Sequence, residues 1–162
     1  MTTQEARLAV LRASKLAADL ADDDLDVLAK LVDVRELPDG EVLVHEGTSD
    51  DHLYIVASGH VGVVKFIDSD ARLTVATLGP GALAGEMGFV DGTPYSSSLV
   101  AVGGARVLGL ARQRLESLLA THPAVVYHVM RGIIRIVHET QRRLSDQAVE
   151  LSNYVYKQHG RY

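Results

Sequence analysis

Twelve of the 14 glycines fall between residues 40 and 109. Residues 1–39 hold none, and residues 110–162 hold only Gly132 and Gly160. A Gly-rich middle between Gly-poor ends predicts a turn-rich β centre flanked by helices. Within that centre, runs rich in Val, Ile, Leu and Tyr read as short strands over Glu41–His45, His52–Ala57, His60–Ile67, Arg72–Leu78, Ser97–Val102 and Ala105–Leu110. Gly47, Ser58-Gly59, Asp68–Asp70, Gly79-Pro80-Gly81 and Gly103-Gly104 punctuate them. No helical pattern alternates with these runs, so a parallel βαβ sheet is not expected. A β-sandwich, a jelly roll and a small barrel all remain compatible with the pattern.

The flanks read as helices. Leu8, Leu11 and Leu16 recur at near-helical spacing, and Asp22 to Asp24 precede Leu25, Leu28 and Leu31-Val32 as a helix start. Arg112–Thr121 reads as a short helix stopped near His122-Pro123. A long helix follows from about Ala124 to about Lys157, roughly 34 residues or ~50 Å. Its residues Val126, Met130, Ile133, Val137, Thr140, Leu144, Gln147, Leu151 and Tyr154 follow alternating steps of four and three. That heptad predicts a coiled-coil homodimer, with Thr140 and Gln147 as polar seam residues.

Composition removes several classes of function. With no cysteine, disulfide scaffolds, Cys-ligated zinc and thiol catalysis are out. No apolar run is long enough for a transmembrane helix, and the start Met-Thr-Thr-Gln-Glu lacks the layout of a signal peptide, so a cytoplasmic location is expected. Residues 1–105 carry 7 Lys and Arg against 17 Asp and Glu, while residues 106–162 carry 9 against 4. The acidic body argues against general nucleic-acid binding. The seven histidines include no His-x-His pair with a trailing Glu, and no Gly-x-Ser-x-Gly elbow is present, so neither a cupin-like metal enzyme nor a serine hydrolase is favoured. No metal ligand set, cofactor or catalytic residue is expected.

The stretch Leu78 to Ala101 carries the most chemistry. A Gly-rich turn leads to Gly85-Glu86-Met87-Gly88, then Asp91-Gly92-Thr93-Pro94, then three serines. Glycines let backbone amides approach an anion, serine hydroxyls add donors, and Glu86 is suited to accept from a sugar hydroxyl. Together these outline a phosphosugar cradle, although a jelly-roll corner uses the same residue types.

The pattern resembles the cyclic nucleotide-binding domain family, in its catabolite-activator-type bacterial branch. The matching residues are Gly40-Glu41-x-Leu43, Glu46-Gly47, Asp51-x-Leu53-Tyr54-Ile55-Val56, Ser58-Gly59 and Val61-x-Val63. They continue through Leu78-Gly79, Gly81, Gly85-Glu86, Asp91-Gly92-Thr93-Pro94, Val100-Ala101, Leu108, Arg114, Leu118-Leu119 and His122-Pro123. The resemblance implies a mainly β double-stranded β-helix, or jelly roll, with flanking helices and a long C-terminal dimerisation helix. It divides the chain into N-terminal helices (1–39), a β-roll (40–111) with a phosphate cassette at 78–101, and C-terminal helices (112–162), together one domain.

By the same resemblance, Glu86 binds ribose, Gly85 and Met87 give backbone contacts, and Ser96 and Ser97 follow as the small cassette residues. Thr140 reaches the base from the dimer seam. The family's Phe position is Ala84, and its phosphate-binding Arg position is Tyr95. A phenol does not neutralise a phosphate, and losing such a charge-assisted contact costs about 2–5 kcal/mol. Micromolar binding would then weaken to ~30 µM or to the millimolar range.

The expected function is a non-catalytic sensor that binds cyclic AMP, cyclic GMP or a related phosphorylated ligand and signals through its dimer helix. The alternatives are a dimerising interaction module that no longer binds nucleotide and a cupin-like metal enzyme. About five residues follow Lys157, too few for a recognition helix, so DNA binding by this chain is not expected.

Overall fold

The computed structural model describes residues 3–160. Met1, Thr2, Arg161 and Tyr162, assigned from sequence to the terminal helical parts, lie outside the described residues. Helix α1 spans Thr3–Ala13, a 3-10 turn spans Lys15–Asp19, and α2 spans Asp22–Ala29. The start of α2 differs in detail from the expected Asp cap. Ala21 is the capping position, and Asp24 reaches back from the third helical residue to accept the Ala21 N–H at 2.9 Å.

The 1–39 segment is not helical throughout. Asp33–Leu37 forms strand β1, antiparallel to Ala105–Gly109. Only Leu37 of its five residues is buried, so this strand has no apolar alternation for a sequence reading to detect. The remaining strands are β2 (Val42–Val44), β3 (His52–Phe66), β4 (Arg72–Leu78), β5 (Leu83–Ala84) and β6 (Ser98–Ala111). They join in the order β1-β6-β3-β4, with β2 on β6 and β5 on β3, and every pairing is antiparallel.

Four of the expected short strands are the halves of two long ones. β3 and β6 pair from His52↔Ala111 to Val64↔Ser98, with the register shifting between Val56 and Ser58 and again between Gly59 and His60. Gly59 and Gly104 sit at this bend with φ of +72° and +87°. A Cβ at Gly59 would overlap the Gly104 carbonyl and lie 2.9 Å from the Ala105 Cα. The glycines read as strand breaks therefore mark bulges that bend continuous strands.

Strand alternation divides the core in two. Leu53, Ile55, Leu108 and Leu110 face a cluster shared with Leu11, Leu16, Leu28, Phe89, Val129 and Ile133. Tyr54, Val56, Ala105 and Val107 face the inside of the roll with Leu37, Leu43, Val61, Ala84 and Leu99, and Tyr95 packs against this second cluster.

After a short helix α3 (Glu86–Asp91) within the cassette, α4 spans Arg112–Glu116 and α5 runs over Pro123–His159. Proline at its first position suits α5, because that amide has no intrahelical partner. The buried face of α5 is Val125, Val129, Gly132, Ile133 and Ile136. Gly132 admits Leu16, whose Cδ1 would lie 2.8 Å from an added Cβ. Asp19, nearly buried, receives Arg135 Nε at 2.6 Å. From His138 to Gly160 every residue is exposed.

Burial along α5 sets an outward face apart from part of the expected seam. Ile133 is fully buried in its own chain, whereas Tyr127 and Ile134 are more than 60% exposed. An outward stripe runs through Tyr127, Met130, Ile134, Val137, Gln141, Leu144, Ala148, Leu151 and Val155, again in steps of three and four, with Met130 and Val137 half-buried against the core and the others exposed. It keeps Met130, Val137, Leu144 and Leu151 of the expected seam. Thr140, Gln147 and Tyr154 lie on its flank, and Gln141 lies within it.

Candidate functional site

The turn Gly79-Pro80-Gly81, read as the opening of a cradle, instead fastens the roll to the N-terminal helices. The Gly81 carbonyl accepts the Lys15 N–H at 3.0 Å, and its own N–H donates to Val56. A Cβ at Gly81 would lie 2.9 Å from the Ala13 carbonyl oxygen. The chain then pairs through β5 with Tyr54 and Ile55 and reaches Gly85, which has φ +81° and caps α3.

Glu86 is the first residue of α3. Burial pushes its carboxyl above the usual carboxylate range, and its own backbone N–H partly offsets this. No other hydrogen bond or ion pair reaches that carboxyl among the described residues. Met87, next along, is half exposed. The amides of this first helical turn have no partner within the helix.

Gly92 ends α3 in the left-handed region, and Asp91 accepts both the N–H and the hydroxyl of Thr93. That interaction holds the exposed Asp91 carboxyl below its ordinary range. The following segment is stitched to the loop before β3. The Tyr95 N–H donates to Thr48 at 2.9 Å, and the Tyr95 carbonyl accepts from Gly47 at 2.7 Å. The Glu46 N–H donates to the Ser98 hydroxyl at 2.8 Å. Ser96 is exposed and Ser97 is buried, and neither hydroxyl makes a side-chain hydrogen bond among the described residues. The third serine, left out of the sequence candidates, is thus the one that fixes the strand entry.

Tyr95 is turned inward. Its hydroxyl is buried and has no hydrogen-bond partner. A Cβ at Gly85 would overlap that hydroxyl, and one at Gly88 would lie 3.2 Å from the Tyr95 ring. The ring is therefore held beneath α3 by two glycines. Burial raises the phenol's pKa, and the nearby Asp50 and Glu86 carboxylates raise it further, so it stays neutral. No Lys or Arg forms a hydrogen bond or ion pair with Ala84–Ser98 among the described residues. Lys65 instead pairs with Glu46 at 3.8 Å, and Arg112 pairs with Glu116 at 3.7 Å.

The structure gathers Gly85, Glu86, Met87 and Tyr95 around the start of α3, with Ser96 and Ser97 leading into β6. It gives Thr140 no link to them. The Thr140 hydroxyl donates to Ile136 of its own helix at 3.0 Å.

A cleft of about 610 Å³ opens beside α3, lined in part by Arg35, His52, Tyr54, Gly88, Gly92 and Arg112, while Glu86 and Tyr95 do not line it. Asp50, Asp51 and His52 are a group with metal-ligand chemistry that the sequence reading passed over. They satisfy one another, with His52 Nδ1 2.9 and 3.1 Å from the two carboxylates and the Tyr54 hydroxyl donating to Asp50 at 2.7 Å.

Roll, cassette and docked helix define a β-roll regulatory domain. The sequence profile of the cyclic nucleotide-binding domain family matches residues 34–122, more than half of the chain. The chain belongs to that family. A cyclic AMP receptor protein of Thermus thermophilus is 31% identical over 134 residues, covering 83% of this chain and 62% of the relative. The chain thus spans about three-fifths of that relative's length.

Two crystal structures show the same fold. A cyclic nucleotide-binding domain from Methylobacillus flagellatus has a TM-score of 0.77 at 28% identity, covering 91% of this chain and 83% of its own. The Thermus thermophilus catabolite activator protein has a TM-score of 0.67 at 30% identity, covering 83% and 63%. The jelly-roll architecture expected from the residues is the one observed. No described helix is long and apolar enough to cross a membrane.

Proposed function

We propose that the domain is a non-catalytic, cytoplasmic regulatory module. It binds a ligand of the nucleotide class at Glu86, the Gly85–Met87 backbone and the Ser96-Ser97 entry, and it transmits occupancy through a pair of α5 helices. One observation carries this reading. Glu86 is placed at the start of α3, half-buried and without a partner side chain among the described residues, an arrangement that leaves its carboxylate open to a donor. The Thermus relative is named a cyclic AMP receptor protein, and that name supplies the ligand class.

The second half of the proposal rests on α5. Its outward stripe from Tyr127 to Val155 is exposed except at Met130 and Val137, which are half-buried against the core, and the residues beside the lower stripe are uncharged, including Thr140, Ser145, Gln147 and Ser152. Two copies can therefore pair in parallel without like-charge contacts at the seam margin. The acidic body through residue 105 supports the absence of DNA contact by this part of the molecule.

Sedimentation equilibrium of the full chain, with calorimetric titration of cyclic AMP at about 100 µM protein, tests both halves. A species of twice the 17.5 kDa chain mass and weak heat that Glu86→Ala removes are expected. A monomer without heat from any nucleotide would refute the proposal.

The inward Tyr95 favours a second reading, in which the pocket has lost nucleotide binding and the dimer alone acts. Under it, Glu86→Ala would change neither heat nor assembly.

A further inference from the structure

Two arginines and two aspartates line the cleft beside α3, and only the aspartates are occupied. Asp50 accepts the His52 N–H at 2.9 Å and the Tyr54 hydroxyl at 2.7 Å. His52 Nδ1 lies 2.9 Å from Asp50 and 3.1 Å from Asp51. Arg35 makes no hydrogen bond or ion pair among the described residues. The Arg112 guanidinium has Glu116 alone, at 3.7 Å, which is beyond hydrogen-bond distance.

The fold aims both cations at this cleft. Arg35 pairs across the sheet with Val107, and Leu37 follows it by two residues; both apolar side chains sit inside the roll. Paired and alternate strand residues share a face, so Arg35 takes an inward place at the mouth of the roll. Burial, and then Asp50, push the Tyr54 phenol above its ordinary range, and the charge of Arg35 pulls against them. The Arg112 N–H donates to the Asp51 carbonyl at 2.9 Å, which fixes the start of α4 against the loop before β3. Its Nη1 would lie 3.9 Å from a Cβ added at Gly92, so the guanidinium rests against the end of α3.

The free bonding capacity is therefore that of two planar N–H forks, which match paired oxygens of a phosphate or carboxylate. The arginines and aspartates cancel in sum, so selection comes from directed donors and not from a net positive field. Leu43 and Val44 add an apolar lining, and about 610 Å³ is the size of a small-molecule site.

We propose that this cleft is a separate ligand site that takes the phosphate or carboxylate group of a small anion on Arg35 and Arg112. Glu86 and Tyr95 do not line it, so it stands apart from the cassette.

The test is an amide and arginine Nε–H NMR titration of the full chain with inorganic phosphate and, separately, succinate, in chloride buffer of fixed ionic strength. It is run on wild type, Arg35→Gln, Arg112→Gln and Arg72→Gln, with thermal melts to report folding. At least one anion is expected to shift the Gly92 amide and the Arg35 and Arg112 Nε–H signals, saturating below ~10 mM. Arg35→Gln and Arg112→Gln are each expected to weaken this at least ~10-fold, and Arg72→Gln to leave it unchanged. The anion that saturates first names the group recognised. No saturable shift with either anion overturns the inference, as does a shift undiminished in folded Arg35→Gln and Arg112→Gln or weakened equally by Arg72→Gln. Shifts centred on Glu86 and Met87 instead overturn it and leave the cassette reading standing.

Discussion

Tyr54 and Tyr95 belong to the same apolar cluster inside the roll, yet only one of their hydroxyls is bonded. Tyr54 donates to Asp50 at 2.7 Å, while the Tyr95 hydroxyl is buried and unpaired. A buried hydrogen bond contributes about 1–2 kcal/mol, whereas a buried unpaired hydroxyl has lost its water for nothing. Tyr54→Phe is expected to destabilise by about 1–2 kcal/mol in urea unfolding. Tyr95→Phe is expected to be neutral or to stabilise by up to about 1 kcal/mol. Equal losses from the two variants would show that the Tyr95 hydroxyl has a partner.

Gly85 is constrained twice, by φ of +81° and by what surrounds it. A methyl group there meets the Tyr95 hydroxyl and lies 2.9 Å from the His52 carbonyl oxygen. Gly85→Ala is expected to cost at least about 2 kcal/mol. Combining it with Tyr95→Phe relieves the first clash and not the second. The double-mutant cycle should therefore show a favourable coupling of about 0.5–1 kcal/mol, and zero coupling would place the hydroxyl elsewhere.

Glu86 gives a pH signature of known sign. Its folded-state pKa is raised above the ordinary 4.5 by burial, so the folded protein holds that proton more tightly than the unfolded chain does. The burial penalty is absent below the ordinary value and is fully present once pH passes the raised value. Glu86→Gln removes it. The variant is expected to melt higher than wild type at pH 7 to 8, with the difference shrinking as pH falls through the ordinary carboxylate range. A difference that grows toward acid pH would contradict the assignment.

The α5 stripe predicts two different failures from adjacent positions. Ile134 is 65% exposed and Leu144 is 57% exposed, whereas Ile133 is 1% exposed. Ile134→Glu and Leu144→Glu are expected to yield folded monomers by sedimentation velocity, with unchanged circular dichroism per residue. Ile133→Glu buries a charge beside Leu16 and Val129 and is expected to unfold the domain. If Ile133→Glu gives a folded monomer, the seam lies on the face first read from the heptad.

Most of the architecture was visible in the residues because glycine and apolar alternation report directly on turns and buried strands. Arg72–Leu78 was placed as it stands, and the helix expected from Ala124 to Lys157 runs two residues further and begins at Pro123. β1 was hidden because Asp33 to Glu36 are exposed, and β5 because two residues carry no period. Gly59 and Gly104 looked like chain breaks, since sequence alone does not separate a turn glycine from a bulge glycine. The inward and outward faces of α5 were hard to separate for a related reason. On one helix, the stripe facing its own roll and the stripe facing outward share Met130 and Val137, and only packing against Leu16 assigns Ile133 inward. Glu86 and Tyr95 were picked out from the family pattern, but the inward turn of the phenol depends on the space over Gly85 and Gly88, which a linear pattern does not contain.

The central claim is that this cassette keeps the family's carboxylate acceptor at Glu86 and has no cation at Tyr95. The direct measurement is the dissociation constant of cyclic AMP for wild type and Tyr95→Arg by calorimetry at one salt concentration. Restoring a charge-assisted phosphate contact of at least about 2 kcal/mol predicts a gain of ~30-fold or more, from a wild-type value no tighter than ~30 µM. Submicromolar binding by wild type, unchanged by arginine, would contradict it.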